Sequence, residues 1–432
     1  MGEKQMSSSE VREKHKEFLF PCVANYYDEP VVITQGDGCC VRDAEGKEYL
    51  DFFGGILTVG LGHCHPDVVK HLQAQLEKLE HTSTLYPTQE IVTYAESLAR
   101  ITPGKLKKSF FTTSGTEADE TALLLAKIYT GQQEIIVLRH GYSGRSLTAL
   151  SVTGHSQWRL LPTQVPGIKH ALSPYCYRCP WGLEYPSCGV RCANDLEELI
   201  RTETNGKPAA FMAEPVQGVG GFIVPPKEYF EIAVGIVRKY GGVFICDEVQ
   251  TGFGRTGDHW CGIEHWGVEP DIMTFAKTIA NGFPVGATIA TDQVANAFTG
   301  LSLSTFGGNP ISMAAASATL TVMERENTPK RCAERGKQLR EHLDGFKARF
   351  DFIGDVRGLG LMQAMELVED RKTKEPSPKK ATKLLEEARK QGLLIGKGGL
   401  YGNTIRMAPS MLVSKAEIED GVRKLEKALS KV

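Results

Sequence analysis

The sequence predicts an α/β fold, with a large domain built on a mostly parallel central sheet covered by helices and a smaller α+β domain beside it. Two observations carry this expectation. Through the middle of the chain, short apolar runs of strand length alternate with amphipathic runs of helical length, which implies crossover connections between parallel strands. After about residue 325 the alternation gives way to a charged, Pro-containing run, a helix, two short strands and a charged terminal helix. A chain of 432 residues has the length for both domains and for an ample core.

Taken in order, the apolar SFFTT (109–113) leads into a helical run, EADETALLLAKIY. EIIVL (134–138) and AFMA (210–213) have the length and character of buried strands. EYFEIAVGIVRKY (228–240) places apolar residues at helical spacing, and Gly241-Gly242 end it. GVFIC (242–246) follows as the next strand, with DIMTFAK (271–277) and VGATIAT (285–291) as two more. The run EDRKTKEPSPKK (369–380) is expected to be an exposed loop, ahead of a helix and the strands LLIGK and TIRMA. The sequence contains neither internal repeats nor low-complexity tracts.

Charge excludes several function classes. Lys+Arg 50 against Asp+Glu 52 leaves a net charge of -2, with no basic asymmetry that would point to nucleic acid or an acidic membrane surface. No apolar run is long enough to span a bilayer. The N-terminal MGEKQMSSSEVREKHKEF lacks the apolar core of a signal peptide, and Met6 stands where a myristoylation signal wants Ser or Thr. The expectation is a soluble, cytoplasmic protein whose partners are small molecules.

The cysteines number 11, and four cluster as Cys176, Cys179, Cys188 and Cys192 in CYRCPWGLEYPSCGVRC. Four thiolates can hold zinc. This spacing is not that of a common zinc module, so the reading favoured is a Pro- and aromatic-rich surface loop whose thiols stay reduced or pair off, with no metal.

One stretch poses a chemical question. In ICDEVQTGFGRTG (245–257) an apolar strand runs straight into Asp247 and Glu248 and then a glycine-rich loop. An unpaired buried carboxylate is costly, so a partner is expected at the end of that strand. Lys277 ends another apolar strand, and strand ends beneath loops are where α/β proteins bind ligands. A cationic ring between the two would give Asp247 a counter-charge and Lys277 a carbonyl to attack. Ser114-Gly115-Thr116 opens a helix and could cradle an anion, or act only as an N-cap. Tyr142, between glycines after a strand, could stack on a flat ring or simply pack a turn.

Together with LDFFGGILTVGLGHCHP (50–66), TSGTEAD (113–119), HGYSGR (140–145), AEPVQGVGG (213–221), PDIMTFAK (270–277), STFGGNP (304–310) and TIRMAP (404–409), these motifs resemble the class III (ω-amino acid) aminotransferases. Those are fold type I enzymes using pyridoxal 5'-phosphate (PLP), and the likeness runs from about residue 30 to the C-terminus. The subgroup it most resembles is the alanine–glyoxylate branch, close to the 4-aminobutyrate enzymes. The resemblance implies a small domain formed from both chain ends, with 1–64 and 326–432 flanking a PLP-binding domain at 65–325.

It also implies roles. Lys277 is the Schiff-base lysine and the proton shuttle, and Asp247 pairs with the pyridine nitrogen. Val249 packs beneath the ring, Tyr142 stacks above it, and Gln250 approaches its 3' oxygen. Ser114, Gly115 and Thr116 hold the phosphate, reached also by Thr305 of a neighbouring subunit, which makes a homodimer with shared sites. Arg406 grips a substrate carboxylate, Glu214 forms an ion pair with Arg406 while an ω-amine donor is bound, and Gly55 lies on the substrate side. The function implied is transfer of an amino group from an amino acid to a keto acid. Relatives on the same scaffold that act as phospho-lyases, racemases or decarboxylases are the alternative. Two positions depart from the common pattern: Asp119 where Asn is frequent, expected to alter a helix-start contact, and Ser143 where His is frequent.

Overall fold

A computed structural model describes residues 6–161 and 164–432. An N-terminal antiparallel ribbon, β1 (Ile33–Asp37), β2 (Cys40–Asp43) and β3 (Glu48–Asp51), precedes the central sheet. That sheet holds β4 (Leu106–Thr112), β5 (Ile135–Leu138), β6 (Ile168–Ala171), β7 (Ala210–Ala213), β8 (Val243–Asp247), β9 (Ile272–Phe275) and β10 (Gly286–Thr291). The C-terminal part contributes β11 (Ile353–Leu359), β12 (Met362–Asp370), β13 (Glu375–Pro376), β14 (Leu393–Leu394), β15 (Gly396–Gly398) and β16 (Thr404–Met407).

The central order is β4-β10-β9-β8-β7-β5-β6, parallel from β9 through β6. Strand β10 runs antiparallel to both neighbours. The reason lies in the connection: β9 and β10 are joined by a short 3-10 turn (Lys277–Ala280) and a turn through Asn281, too little chain for a helical crossover. The inner strands are buried along their length, which is why they read as unbroken apolar runs.

Helices cover both faces. In Tyr229–Lys239, Phe230, Ala233, Val234 and Val237 recur at helical spacing and are buried, and the Phe230 ring lies 5.8 Å from that of Phe244 on β8. In Gly115–Thr130 the buried stripe is Ala118, Ala122 and Ala126, whose small side chains let the helix approach the sheet closely.

The chain ends meet: β14 pairs in parallel with β3, with Leu393 opposite Leu50. The run 369–380 corrects an expectation. It is no open loop, because β12 extends to Asp370, β13 folds back on it, and a helix starts at Pro378 with buried Ser377 as its N-cap. The four-cysteine segment is also clamped down: Tyr175 and Arg178 both bond Glu366 on β12, which pairs with Arg357 at 2.7 Å. All eleven cysteines are free thiols. Among the described residues no group of three or more His, Cys, Asp or Glu side chains forms a metal-holding cluster. No described helix is long and apolar enough to cross a membrane.

Candidate active site

The carboxyl ends of β5, β7, β8 and β9 converge on one cavity of about 330 Å³, the place where open α/β sheets take ligands. Asp247 is the last residue of β8 and is 4% exposed. The Val249 amide donates to its Oδ1 at 3.0 Å, which fixes the carboxylate. Burial pushes its pKa up to about 6, against the pull of Lys277. Glu248 alternates to the other side of the strand and has a different fate. It accepts from the Gly262 and Ile263 amides and the Thr251 hydroxyl, so its partners are already in the chain. Of the two adjacent carboxylates, Asp247 is the one that faces the cavity.

Lys277 follows β9 with φ 50°, a left-handed conformation that a side chain adopts at a cost of about 1–3 kcal/mol. The turn is held from outside: Thr278 Oγ1 donates to the Leu57 carbonyl at 2.7 Å, and Asn281 bonds the Leu61 amide and the Gly62 carbonyl. Burial lowers the Lys277 amine, opposed by the carboxylates of Asp247, Glu214 and Asp119. A strained lysine at a strand end, aimed into a cavity beside a buried aspartate, is the geometry of a reactive amine.

At the other end of the cavity the helix Gly115–Thr130 begins, with Ser114 as N-cap. Its opening amides have no acceptor four residues back, so the end attracts an anion. Space at Gly115 is tight, since a Cβ there would stand 3.3 Å from Ala276 and 3.4 Å from Val249. Across from it Gly144 at φ +121° packs on Thr116, and Arg145 adds a cation to the lining. Tyr142 lines the cavity with its ring edge-on to Trp158 at 5.4 Å.

Glu214, after β7, accepts from the Tyr142 amide at 3.1 Å and the Gly218 amide at 2.7 Å. Burial, then Asp247, pushes its pKa up to about 8. Arg406 on β16 donates to the carbonyls of Gly218 at 3.2 Å and Lys397 at 2.9 Å, beneath the rings of Phe53 and Phe222. The expected Glu214–Arg406 ion pair is therefore not among the contacts of the described residues. Glu214 and the two terminal nitrogens of Arg406 bond backbone, Arg406 Nε has no hydrogen-bond partner among the described residues, and Gly218 stands between the two groups.

The cavity thus brings together Ser114, Gly115, Thr116, Tyr142, Glu214, Asp247, Val249, Gln250 and Lys277. Arg406, Gly55 and Thr305 are not in its lining. Gly55 sits in a left-handed turn (φ 60°) with Thr58, the lining residue, beside it, and Thr305 is exposed on the surface. Thr113, Asp119, Arg145 and Phe283 also line it, unassigned from sequence. Arg145 was legible as the one cation of HGYSGR. Asp119 was misread: it lies past the first helical turn, 1% exposed, with Oδ1 accepting from Thr274 Oγ1 at 2.7 Å.

These residues fit PLP. A helix start with free amides suits a phosphate, a fixed buried carboxylate suits a ring cation, and a strained amine lies in the same enclosure. Gln250 Oε1 is buried without a hydrogen-bond partner among the described residues, as expected of a group awaiting a ligand.

Comparison with known proteins agrees. The family model "Aminotransferase class-III" matches residues 22–429. The chain is 42% identical over 427 residues to alanine–glyoxylate aminotransferase 2 homolog 2, mitochondrial, of Arabidopsis thaliana, covering 99% of this chain and 88% of that protein. It is 34% identical to a leucine/methionine racemase of Thermococcus litoralis, covering 99% and 96%. An amine transaminase from an uncultivated Pseudomonas species, solved with PLP bound, superposes with a TM-score of 0.90 at 32% identity, covering 96% of this chain and 98% of that one. The chain belongs to the class-III aminotransferases, and it is a PLP-dependent transaminase.

Proposed function

We propose that this transaminase takes its amino group from an alanine, β-alanine or 4-aminobutyrate type of donor and passes it to a small keto acid such as pyruvate, glyoxylate or 2-oxoglutarate, in two half-reactions of a ping-pong cycle. The observation that carries the residue assignment is Lys277, held in a left-handed conformation with its amine in the cavity shared with Asp247. PLP, when bound, supplies an electron sink for the carbanion left when a substrate Cα–H is broken.

The chain's residues do the rest. Lys277 Nζ would hold the cofactor and would be the base that moves the substrate proton; burial lowers its pKa, which favours the neutral amine a base needs. Asp247 keeps the pyridine nitrogen protonated. Ser114, Gly115 and Thr116 would hold the phosphate, Val249 and Tyr142 would flank the ring, and Gln250 would meet the 3' oxygen. Arg406 gives a fork for the acceptor's carboxylate. In this arrangement Arg406 is free of Glu214, which suits an α-keto acid; with an ω-amine donor the two would pair. Gly55 leaves room on the substrate side.

Thr305 is assigned to the phosphate of a partner subunit in a homodimer. Support comes from exposed apolar side chains: Leu301, Leu303 and Phe306 flank it in the chain and are exposed, as are Leu85 and Tyr86, and the His81 and Phe306 rings lie 5.2 Å apart. We also place the domain limits at 65–325 and 326–432, with 1–64 joining the latter, and the protein in the cytoplasm. A relative described as mitochondrial makes cell fractionation the deciding measurement for location.

The test is the absorption spectrum of PLP-loaded protein titrated with alanine, β-alanine, 4-aminobutyrate and phosphoethanolamine, without keto acid. Conversion to the pyridoxamine form by an amino acid supports transamination and identifies the donor. Phosphate release from phosphoethanolamine, or exchange of D and L isomers without conversion, would overturn it in favour of a lyase or a racemase.

A further inference from the structure

We propose that Asp119 stands in this site as a neutral carboxylic acid that donates its proton to Asp247, a positioning residue that keeps Asp247 the charged member of the pair. The inference rests on Asp247 meeting the cofactor's ring nitrogen.

The placement comes from the sheet. Thr274 on β9 is directly opposite Asp247 on β8 in the parallel ladder, so their side chains emerge side by side on one face. The helix Gly115–Thr130 covers that face. It is pinned there by two hydroxyls, Thr288 Oγ1 donating to the Ala118 carbonyl at 2.7 Å and Thr274 Oγ1 donating to Asp119 Oδ1 at 2.7 Å. Asp119 and Asp247 are both neighbours of Thr274, both nearly fully buried, and both line the cavity.

Ionised carboxylates only accept hydrogen bonds, so two of them side by side have nothing to offer each other; one shared proton turns repulsion into a hydrogen bond. The donors differ sharply between the buried acids here. Glu248 accepts from two amides and a hydroxyl, and Glu214 from two amides, whereas the one donor to Asp119 among the described residues is the Thr274 hydroxyl. The charged groups that face Asp119 are Asp247 on β8, Glu214 after β7 and Lys277 after β9, while β10 presents the neutral Thr288. With every acid ionised, the three carboxylates of Asp119, Asp247 and Glu214 would crowd around the one Lys277 amine, while Arg145, the other cation of the lining, is exposed. Burial and the neighbouring Asp247 both push the Asp119 pKa well above its ordinary value, in the same sense.

A proton on Asp119 settles the arrangement. Oδ1 keeps accepting from Thr274, the O–H points at Asp247, and the Asp247 charge is left for the ring cation. Loss of that proton would place a second negative charge beside Asp247 and compete for the same cation.

The test is infrared spectroscopy on the PLP-loaded enzyme with 13C-labelled aspartate, which separates this group from protonated glutamates such as Glu214. The expected result is a protonated aspartate C=O band at neutral pH that disappears in Asp119→Asn. Thr274→Val should move that band to higher frequency, since the carbonyl loses its donor. Asp119→Asn, whose NH2 replaces the O–H, should bind PLP within about threefold of wild type, and Asp119→Leu about tenfold more weakly. Absence of the labelled band, or a band insensitive to both Asp119→Asn and Thr274→Val, would overturn the proposal even with the lysine-linked absorption intact. Absence of that visible absorption would instead overturn the cofactor assignment itself.

Discussion

The cofactor half of the site and its substrate half are built in different ways. Eight of the residues proposed for the cofactor half line a single cavity, because each follows a central-sheet strand or opens the helix that covers it. The substrate half draws on Arg406 from the C-terminal sheet and Gly55 from the N-terminal segment, neither of which is in the cavity lining, while Thr305, proposed for a partner's phosphate, lies on the surface. A rigid sheet fixes the first set within one chain. The second set depends on how separate parts of the molecule come together. Preorganisation is therefore concentrated where charge develops during the reaction, and adjustability where substrates differ.

Substitutions should separate the two halves by size and kind of effect. Asp247→Asn keeps the shape and removes the fixed charge; kcat should fall by roughly a hundredfold or more, the scale of losing one preorganised electrostatic partner. A loss confined to KM would put Asp247 outside the chemistry. Arg406→Ala should act on the other half, raising KM for the keto acid by roughly 10- to 100-fold, with little rescue by Lys, whose point charge cannot reproduce a planar fork. Steady-state kinetics with donor and acceptor varied separately would show whether the defect is confined to carboxylate binding.

Thr305→Ala should weaken PLP binding by roughly three- to tenfold, the worth of one neutral hydrogen bond. If it does so equally in a protein diluted to monomers, the shared-site proposal fails.

The smallest effect is on stability. The folded Glu214 carboxyl holds its proton up to about 8 against an ordinary 4.5, so the native state binds more protons than the unfolded chain across that window. Its contribution is present below 4.5 and lost as pH rises through about 8. Asp247 and Glu248, raised to about 6 and about 7, act in the same direction. Cofactor-stripped protein should melt at lower temperature as pH rises through this range, and Glu214→Gln should flatten the slope.

What could be read from the sequence follows the same division. Strands β5, β7, β8 and β9 announce themselves as apolar runs because both faces are covered. The residues after them line the cavity, so motif and position coincide. What residue identity does not reveal is a partner supplied by backbone or by the register of neighbouring strands. Glu214 and Arg406, expected to pair while an ω-amine donor is bound, here meet the amides of Tyr142 and Gly218 and the carbonyls of Gly218 and Lys397. Asp119 reads as a helix-start acid until the register of β8 and β9 puts it beside Asp247. The charged run at 369–380 hid a helix start that Ser377-Pro378 did signal, an N-cap followed by proline in the first turn.

The central claim is that Lys277 carries the cofactor, and borohydride reduction of the PLP-loaded enzyme followed by peptide mass mapping tests it most directly. The account predicts that the cofactor is trapped on the peptide containing Lys277, and that Lys277→Ala abolishes both the trapped mass and the visible absorption band. Trapping on a different lysine, or an unchanged band in Lys277→Ala, would contradict it.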